Sequence, residues 1–316
     1  MTEPKIIAVI GATGAQGGGL VRAILSDPSG GFAVRAVTRH PGSDKGKALA
    51  AAGAAVVAAD LDDTASLVAA FRGAHGVFAV TNFWEHFSAE KELQQATNIA
   101  EAAKAAGVRH VIWSTLEDTR TFVPLSDDRM PTLGGKYKVP HFDAKGEADA
   151  VFAKLGIPTT CYLTSFYWEN FIFFGMGPQK GPDGTLQIVM PMGDRKLPGV
   201  AVDDIGRGAY AIFRGGERFI GTRVGIASEH LTGAQMAEAM GKALGQPVRY
   251  QDVPPEVFRS FGFPGADDIG NMFQFNRDFS DDFCRARDLT ASRQLVPGMV
   301  TFDQWLAANV ARIPVS

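Results

Sequence analysis

Two periodicities alternate along the first half of the chain. From Lys5 an apolar run of Ile6, Ile7, Ala8, Val9 and Ile10 stops at Gly11, and Leu20, Val21, Ile24 and Leu25 then recur at helical spacing. A short unbroken apolar run closed by glycine reads as a buried strand, and the recurrence that follows reads as the inner face of a helix. The alternation repeats. Strands are expected at 32–38, 54–59, 76–80, 108–114 and 158–163, with helices at 45–52, from Thr64 onward, at 89–106 and at 142–155. Strands separated by helices of this length need right-handed crossovers, hence a parallel sheet. The predicted fold class is α/β, a Rossmann-type doubly wound parallel sheet with a smaller α+β C-terminal lobe.

Beyond Leu163 the pattern changes. Residues 165–184 are aromatic and then turn-rich, and a hairpin-like strand covers 186–190. A helix opened by Asp203 and Asp204 takes in 209–213, and a strand is expected at 223–227. Helices at 231–244, 255–261 and 302–310 flank a further strand at 248–253. The expected division is a nucleotide-binding domain over 1–163, with 200–228 returning to it, and a smaller substrate or partner lobe over 164–199 and 229–316. Residues 117–139, which include Pro124, Pro131, Gly134 and Gly135, read as a long surface loop over the site. Ordering of such a loop is a common switching device.

The glycines that end the first strand carry the first chemical signal. Gly11, Gly14 and Gly17 stand at G-x-x-G-x-x-G spacing between strand and helix. That order of elements suits a dinucleotide's pyrophosphate, because the helix start presents unpaired N–H groups and the positive end of its dipole. Gly11, Ala12, Thr13, Gly14, Ala15 and Gln16 are therefore cofactor-binding candidates. Ligands on such sheets lie beyond the carboxyl ends of the strands, which adds Thr38, Arg39, Asp60, Thr81, Asn82, Phe83 and Ser114.

An NAD-type site places an acid after the second strand to meet the ribose 2′-hydroxyl. Here the strand ends Thr38-Arg39-His40, with no acid before Asp44. Arg39 offers a planar cation to a 2′-phosphate and Thr38 a hydroxyl. A charge-assisted bond of roughly 1.5–3 kcal/mol gives about a ten- to hundredfold preference. NADP(H) is the expected cofactor. Asp60 stands either near the adenine edge or as the N-cap of the next helix.

Composition narrows the remaining classes. The chain has 316 residues, 46% hydrophobic and 21% charged, with a formal net charge of -3. That balance gives no global attraction to nucleic acid or an anionic membrane. Cys161 and Cys284 form no C-x-x-C pair and read as reduced structural thiols. No apolar stretch approaches the ~18 residues of a membrane span, the N-terminal run does not read as a signal peptide, and a cytoplasmic location is expected.

Short-chain hydride-transferring enzymes pair Tyr-x-x-x-Lys with a Ser at the end of the fifth strand; the Lys lowers the Tyr pKa, and the Ser orients the substrate carbonyl. Ser114 and Lys145 fit, but His141 occupies the Tyr position and Tyr137 is out of register. The catalytic candidates are Lys145, His141 and Ser114, with His141 able to donate a proton near neutral pH. No histidine or acid shows metal-ligand spacing.

Six motifs stand out along the chain: GATGAQGG at 11–18, VTRHP at 37–41, TNFWE at 81–85, HFDAKGE at 141–147, YWEN at 167–170 and FPGADDIGNMF at 263–273. Together they resemble the NmrA-like family, an atypical short-chain dehydrogenase branch that includes NADPH-sensing regulators. The first is general to dinucleotide folds, whereas TNFWE, HFDAKGE and the late motif point to the redox-sensor subgroup. The resemblance implies that residues 11–16 cradle pyrophosphate, Arg39 meets the 2′-phosphate, and Asp60 lies near adenine. It implies that Thr81 to Phe83 run along the nicotinamide side, that Lys145 contacts the ribose, and that Tyr167, Trp168, Glu169 and Asn170 cover the nicotinamide. Gln94 and Leu61 depart from the subgroup, which carries Lys and Gln there.

Two functions follow. One is a redox-sensing regulator that responds to the NADPH/NADP state without Tyr-x-x-x-Lys chemistry and acts on a protein partner, with a homodimer allowed. The other is an NADPH-dependent oxidoreductase of a small quinone or carbonyl, with Phe166 to Phe174 as a flat apolar lining.

Overall fold

The computed structural model describes residues 3–315. The chain forms two compact units, one made of the chain up to Asp118 with His141–Leu163 and Asp203–Val224, the other of Thr119–Pro140, Thr164–Val202 and the chain from Gly225. Residues 119–140, which the sequence reading kept with 1–163, cluster with the second unit.

The first unit is built on β1 (Lys5–Val9), α1 (Ala15–Leu25), β2 (Phe32–Thr38), α2 (Asp44–Ala51), β3 (Ala55–Ala58), α3 (Thr64–Phe71) and β4 (Gly76–Ala79). It continues through α4 (Ala89–Ala105), β5 (His110–Thr115), α5 (Pro140–Lys154), β6 (Thr159–Leu163), α6 (Val202–Gly215) and β7 (Arg223–Gly225). The sheet order is β7-β6-β5-β4-β1-β2-β3. The pairs from β6 across to β3 run parallel. The chain steps from β1 outward to β3, then crosses back to place β4 on the other side of β1. That reversal opens a crevice beyond the end of β1, the place where such sheets hold ligands. Helices cover both faces, so the central strands are apolar without alternation; every residue of β4 and β5 is buried.

Caps fix where most helices begin. Ser43, Asp63 and Ser88 accept hydrogen bonds from the first-turn N–H groups of α2, α3 and α4. Asp63, not Asp60, caps α3: the Asp60 carboxylate instead accepts from Asp62 N–H at 3.0 Å, closing its own turn. The N-cap alternative for Asp60 is thereby corrected. Helix α5 starts at Pro140, ahead of the expected 142, because proline's fixed φ and missing N–H suit a first helical position.

Glycines set how closely α1 packs. A Cβ on Gly17 would lie 2.4 Å from the Gly11 carbonyl oxygen, and one on Gly206 would lie 2.1 Å from the Gly19 carbonyl carbon. Helix α1 therefore approaches the loop before it and α6 beside it more closely than any side chain permits. The α1–α6 contact is closed at its rim by an ion pair between Arg22 and Asp203 and by Tyr210 donating to Asp27 at 2.7 Å.

Two polar groups, a half-buried carboxylate and a buried imidazole, brace the sheet. Asp149 on α5 accepts from Trp113 Nε1 (3.0 Å), Thr115 Oγ1 (2.7 Å) and Arg223 (2.5 Å), tying β5, α5 and β7 together; burial raises its pKa. His110 on β5 meets Thr160 Oγ1 at 2.8 Å. The Thr160 hydroxyl donates to Phe219 O at 2.8 Å, so it accepts from the imidazole, which carries its proton on Nε2.

The second unit contains a sheet of Glu229–Thr232, Lys196–Val200 and Phe166–Tyr167, and another of Val248–Asp252, Leu186–Met190 and Gln179–Lys180. Its core is aromatic: Trp168 packs against Phe302 and Trp305, with ring centroids 5.3 and 6.3 Å away. The loop expected over 117–139 is present, with 124–126 and 134–136 exposed, but Val123, Met130, Lys138 and Val139 are buried and anchor it. Lys138 Nζ donates to the carbonyls of Asp127 and Met130, both at 2.7 Å. Asn271 donates to those of Pro131 and Lys138, and Gln274 to that of Arg129. Side chains satisfy a backbone that has no ladder of its own.

Burial holds the His110 pKa down from 6.5 to about 4. Between those values the unfolded chain binds a proton that the folded chain does not. This contribution to stability is thus complete above pH 6.5 and lost as pH falls through about 4, roughly 3 kcal/mol in all. Urea unfolding of His110→Gln, which keeps a donor for Thr160, is expected to show a correspondingly flatter acid limb than the parent chain.

Candidate functional site

The loop after β1 is a tight turn. Ile10 N–H donates to Phe78 O at 3.0 Å and Gly14 N–H to Gly11 O at 2.8 Å. Gly11 has φ +64°, and a Cβ there would lie 3.1 Å from Val80 Cγ1, so both conformation and space call for glycine. Gly14 precedes α1 with no side-chain cap, and the first turn holds no acid. Unlike α2, α3 and α4, this helix has a glycine at its N-cap and so no capping side chain. An anion suits that end. Ser114 Oγ donates to Gln16 Oε1 at 2.8 Å, fastening the loop to the end of β5.

Thr38 ends β2, and Arg39 just after it reaches the turn Phe83–Glu85. Arg39 pairs with Glu85 at 2.9 Å, and Asn82 Nδ2 donates to the same carboxylate oxygen at 3.3 Å. The TNFWE motif thus reaches the cation that follows β2.

Lys145 is the centre of a buried network. Its Nζ lies 2.6 Å from Glu92 Oε1, 2.7 Å from Thr81 Oγ1 and 3.3 Å from Thr81 O, and 5.3 Å from the centroid of the Trp113 ring. The Thr81 hydroxyl donates to Glu92 at 2.5 Å and therefore accepts from Lys145. Glu92 is wholly buried, and its other oxygen faces His86 Nε2 at 3.4 Å. Because His86 Nδ1 accepts from Ser88 N–H at 3.2 Å, the ring proton sits on Nε2, towards the carboxylate. A buried cation is tolerable only with such a partner.

His141 and Lys145 share one face of α5, one turn apart, and both are buried. The imidazole of His141 is enclosed by Trp84, Phe142 and Phe83, with ring centroids 4.8, 4.8 and 5.8 Å away. Tyr137 belongs to the second unit. So do Tyr167, Trp168, Glu169 and Asn170, and there much of the YWEN motif serves packing. Trp168 is fully buried, while Glu169 accepts from Trp305 Nε1 at 2.9 Å and Val202 N–H at 3.1 Å. Tyr167 and Asn170 are half-buried. In the late motif, Asn271 holds residues 131 and 138. The thiol of Cys161 is pushed up to about 12 by burial, which leaves it inert.

Sequence reasoning missed Glu92, His86 and Glu85. Glu92 had a signal: it lies on the apolar stripe of α4 with Ala96, Ile99 and Ala103, and an acid on such a stripe needs a buried partner. Glu85 closes the TNFWE motif, but nothing in the local pattern marked its pairing with Arg39.

A doubly wound sheet with a glycine turn at its reversal point, followed by an uncapped helix, defines a Rossmann-type nucleotide-fold protein. The model of the NmrA-like family matches residues 3–306, and the chain belongs to that family. A Cladobotryum sp. relative named NmrA-like family domain-containing oxidoreductase FrzB is 31% identical over 293 residues, covering 86% of this chain and 84% of the relative. Among solved structures, NmrA, a negative transcriptional regulator in complex with NADP, aligns with TM-score 0.77 at 24% identity, covering 97% of this chain and 95% of that one. The Citrobacter sp. triphenylmethane reductase complexed with NADP(H) aligns with TM-score 0.75 at 18% identity, covering 96% and 99%.

Removing one member of the buried pair leaves the other uncompensated. Glu92→Ala and Lys145→Met are each expected to lower stability by about 3–5 kcal/mol. The double variant should lose clearly less than the sum, as a double-mutant cycle by urea unfolding will read.

Proposed function

We propose that this chain binds NADP(H) and acts as a redox-sensing regulator, responding to the NADPH/NADP state through contacts with a protein partner. The uncapped start of α1 suits the pyrophosphate, Arg39 supplies the cation for the 2′-phosphate, and Lys145 would meet the ribose. When bound, the nicotinamide supplies hydride chemistry; this chain's own residues supply binding, orientation and burial.

The observation that carries the regulatory reading is the state of the two groups on α5. Where short-chain enzymes keep a tyrosine, His141 is walled in by three aromatic rings, and the Lys145 ammonium is already matched by Glu92. Neither presents an open proton donor. An oxidoreductase of a small quinone or carbonyl is the second reading, favoured by the oxidoreductase name of the Cladobotryum relative and by the likeness to the triphenylmethane reductase. A quinone needs little acid help, so the missing tyrosine leaves that reading intact.

Calorimetry is expected to find tighter binding of NADP(H) than of NAD(H). Arg39→Ala should weaken NADP(H) about tenfold or more and leave NAD(H) unchanged. Following NADPH absorbance with a panel of quinones and aldehydes should give no turnover. Turnover that disappears in Lys145→Ala would replace the regulator with the reductase.

A further inference from the structure

Arg39 already has an anionic partner supplied by the chain itself. Its guanidinium pairs with Glu85 Oε1 at 2.9 Å, and both side chains are about half exposed, at 52% and 45%. The carboxylate is held in place from its own side. Asn82 Nδ2 donates to it at 3.3 Å, and Glu85 N–H donates to Asn82 O at 3.1 Å, closing the turn on which it sits. The same turn carries Phe83 and Trp84, whose rings pack on His141.

We propose that Glu85 is a specificity-determining residue, paired with the cation that reads the 2′-phosphate. The inference rests on the NADP(H) reading and adds a residue that narrows the preference for the phosphorylated dinucleotide. An ion pair this exposed is weak and readily exchanged, so it does not block a phosphate from reaching Arg39. Its carboxylate nevertheless remains beside the arriving dianion, and like charges at that range repel through a partly screened medium. The positioning that Glu85 gives to a half-exposed arginine is worth less than this repulsion. An unphosphorylated ribose carries no charge to be repelled and is indifferent to Glu85. Entry of the 2′-phosphate also frees the carboxylate from Arg39, at a turn whose aromatic rings rest on α5. The phosphate that separates the two dinucleotides thereby acts on the segment that includes Thr81, the partner of Lys145.

The test is calorimetric, on the full chain, with NADP(H) and NAD(H) as probes. Glu85→Gln keeps an acceptor for Asn82 and removes the charge at an exposed position, so the fold is retained. It is expected to tighten NADP(H) about three- to tenfold while leaving NAD(H) within about twofold. Unchanged or weakened NADP(H) binding in Glu85→Gln, with Arg39→Ala still weakening it, overturns the role of Glu85 and leaves the cofactor reading standing. If Arg39→Ala leaves NADP(H) affinity intact, the cofactor reading itself fails, and the role of Glu85 falls with it.

Discussion

Helix α1 lies closer to its neighbours than any side chain allows, and the first unit is arranged around that approach. On one side Gly17 meets the carbonyl of Gly11; on another Gly19 meets Gly206 of α6. The turn at Gly11 aims the helix start into the crevice where the sheet reverses. Crowding at these two points leaves the helix little freedom to tilt, and its leading amides keep a fixed direction. A ligand then finds the donors already in place, which lowers the ordering cost of binding.

The second constraint is electrostatic. An ammonium and a carboxylate share the space between α4, α5 and the end of β4, and a threonine hydroxyl bonds to both. Taking such charges out of water costs more than their attraction returns unless the remaining hydrogen-bonding capacity is filled. Thr81 does that filling for one carboxylate oxygen, while the other lies 3.4 Å from His86 Nε2 with no hydrogen bond between them. Asp149 adds a second anchor on the same helix, so the direction of Lys145 is set from two turns of α5.

Most of the first unit was legible because period and punctuation agreed. The apolar run at β1, the glycines after it and the stripe of α1 pointed to one answer, and each later strand and helix of that unit was found within a few residues. The segment 117–139 was read as a surface loop, and its tethering was not foreseen. Prolines, glycines and polar residues describe a solvated loop as well as a backbone tethered by buried side chains, and only tertiary partners such as Asn271 and Gln274 distinguish the two. The charge pairs were illegible for a related reason: Glu85 and Arg39, or Glu92 and Lys145, stand far apart in the chain and meet only through the crossovers. The first member of each motif was visible, and its counter-ion was not.

That tethering inverts an ordinary expectation about irregular segments. Stretches without helix or strand usually tolerate insertion and drift, since water can take over their amides and carbonyls. In residues 119–140 three side chains, Lys138, Asn271 and Gln274, hold carbonyls strung from Asp127 to Lys138. Changing the length of this stretch by one residue would misalign those attachments together, so its length is as tightly constrained as that of a strand in the sheet.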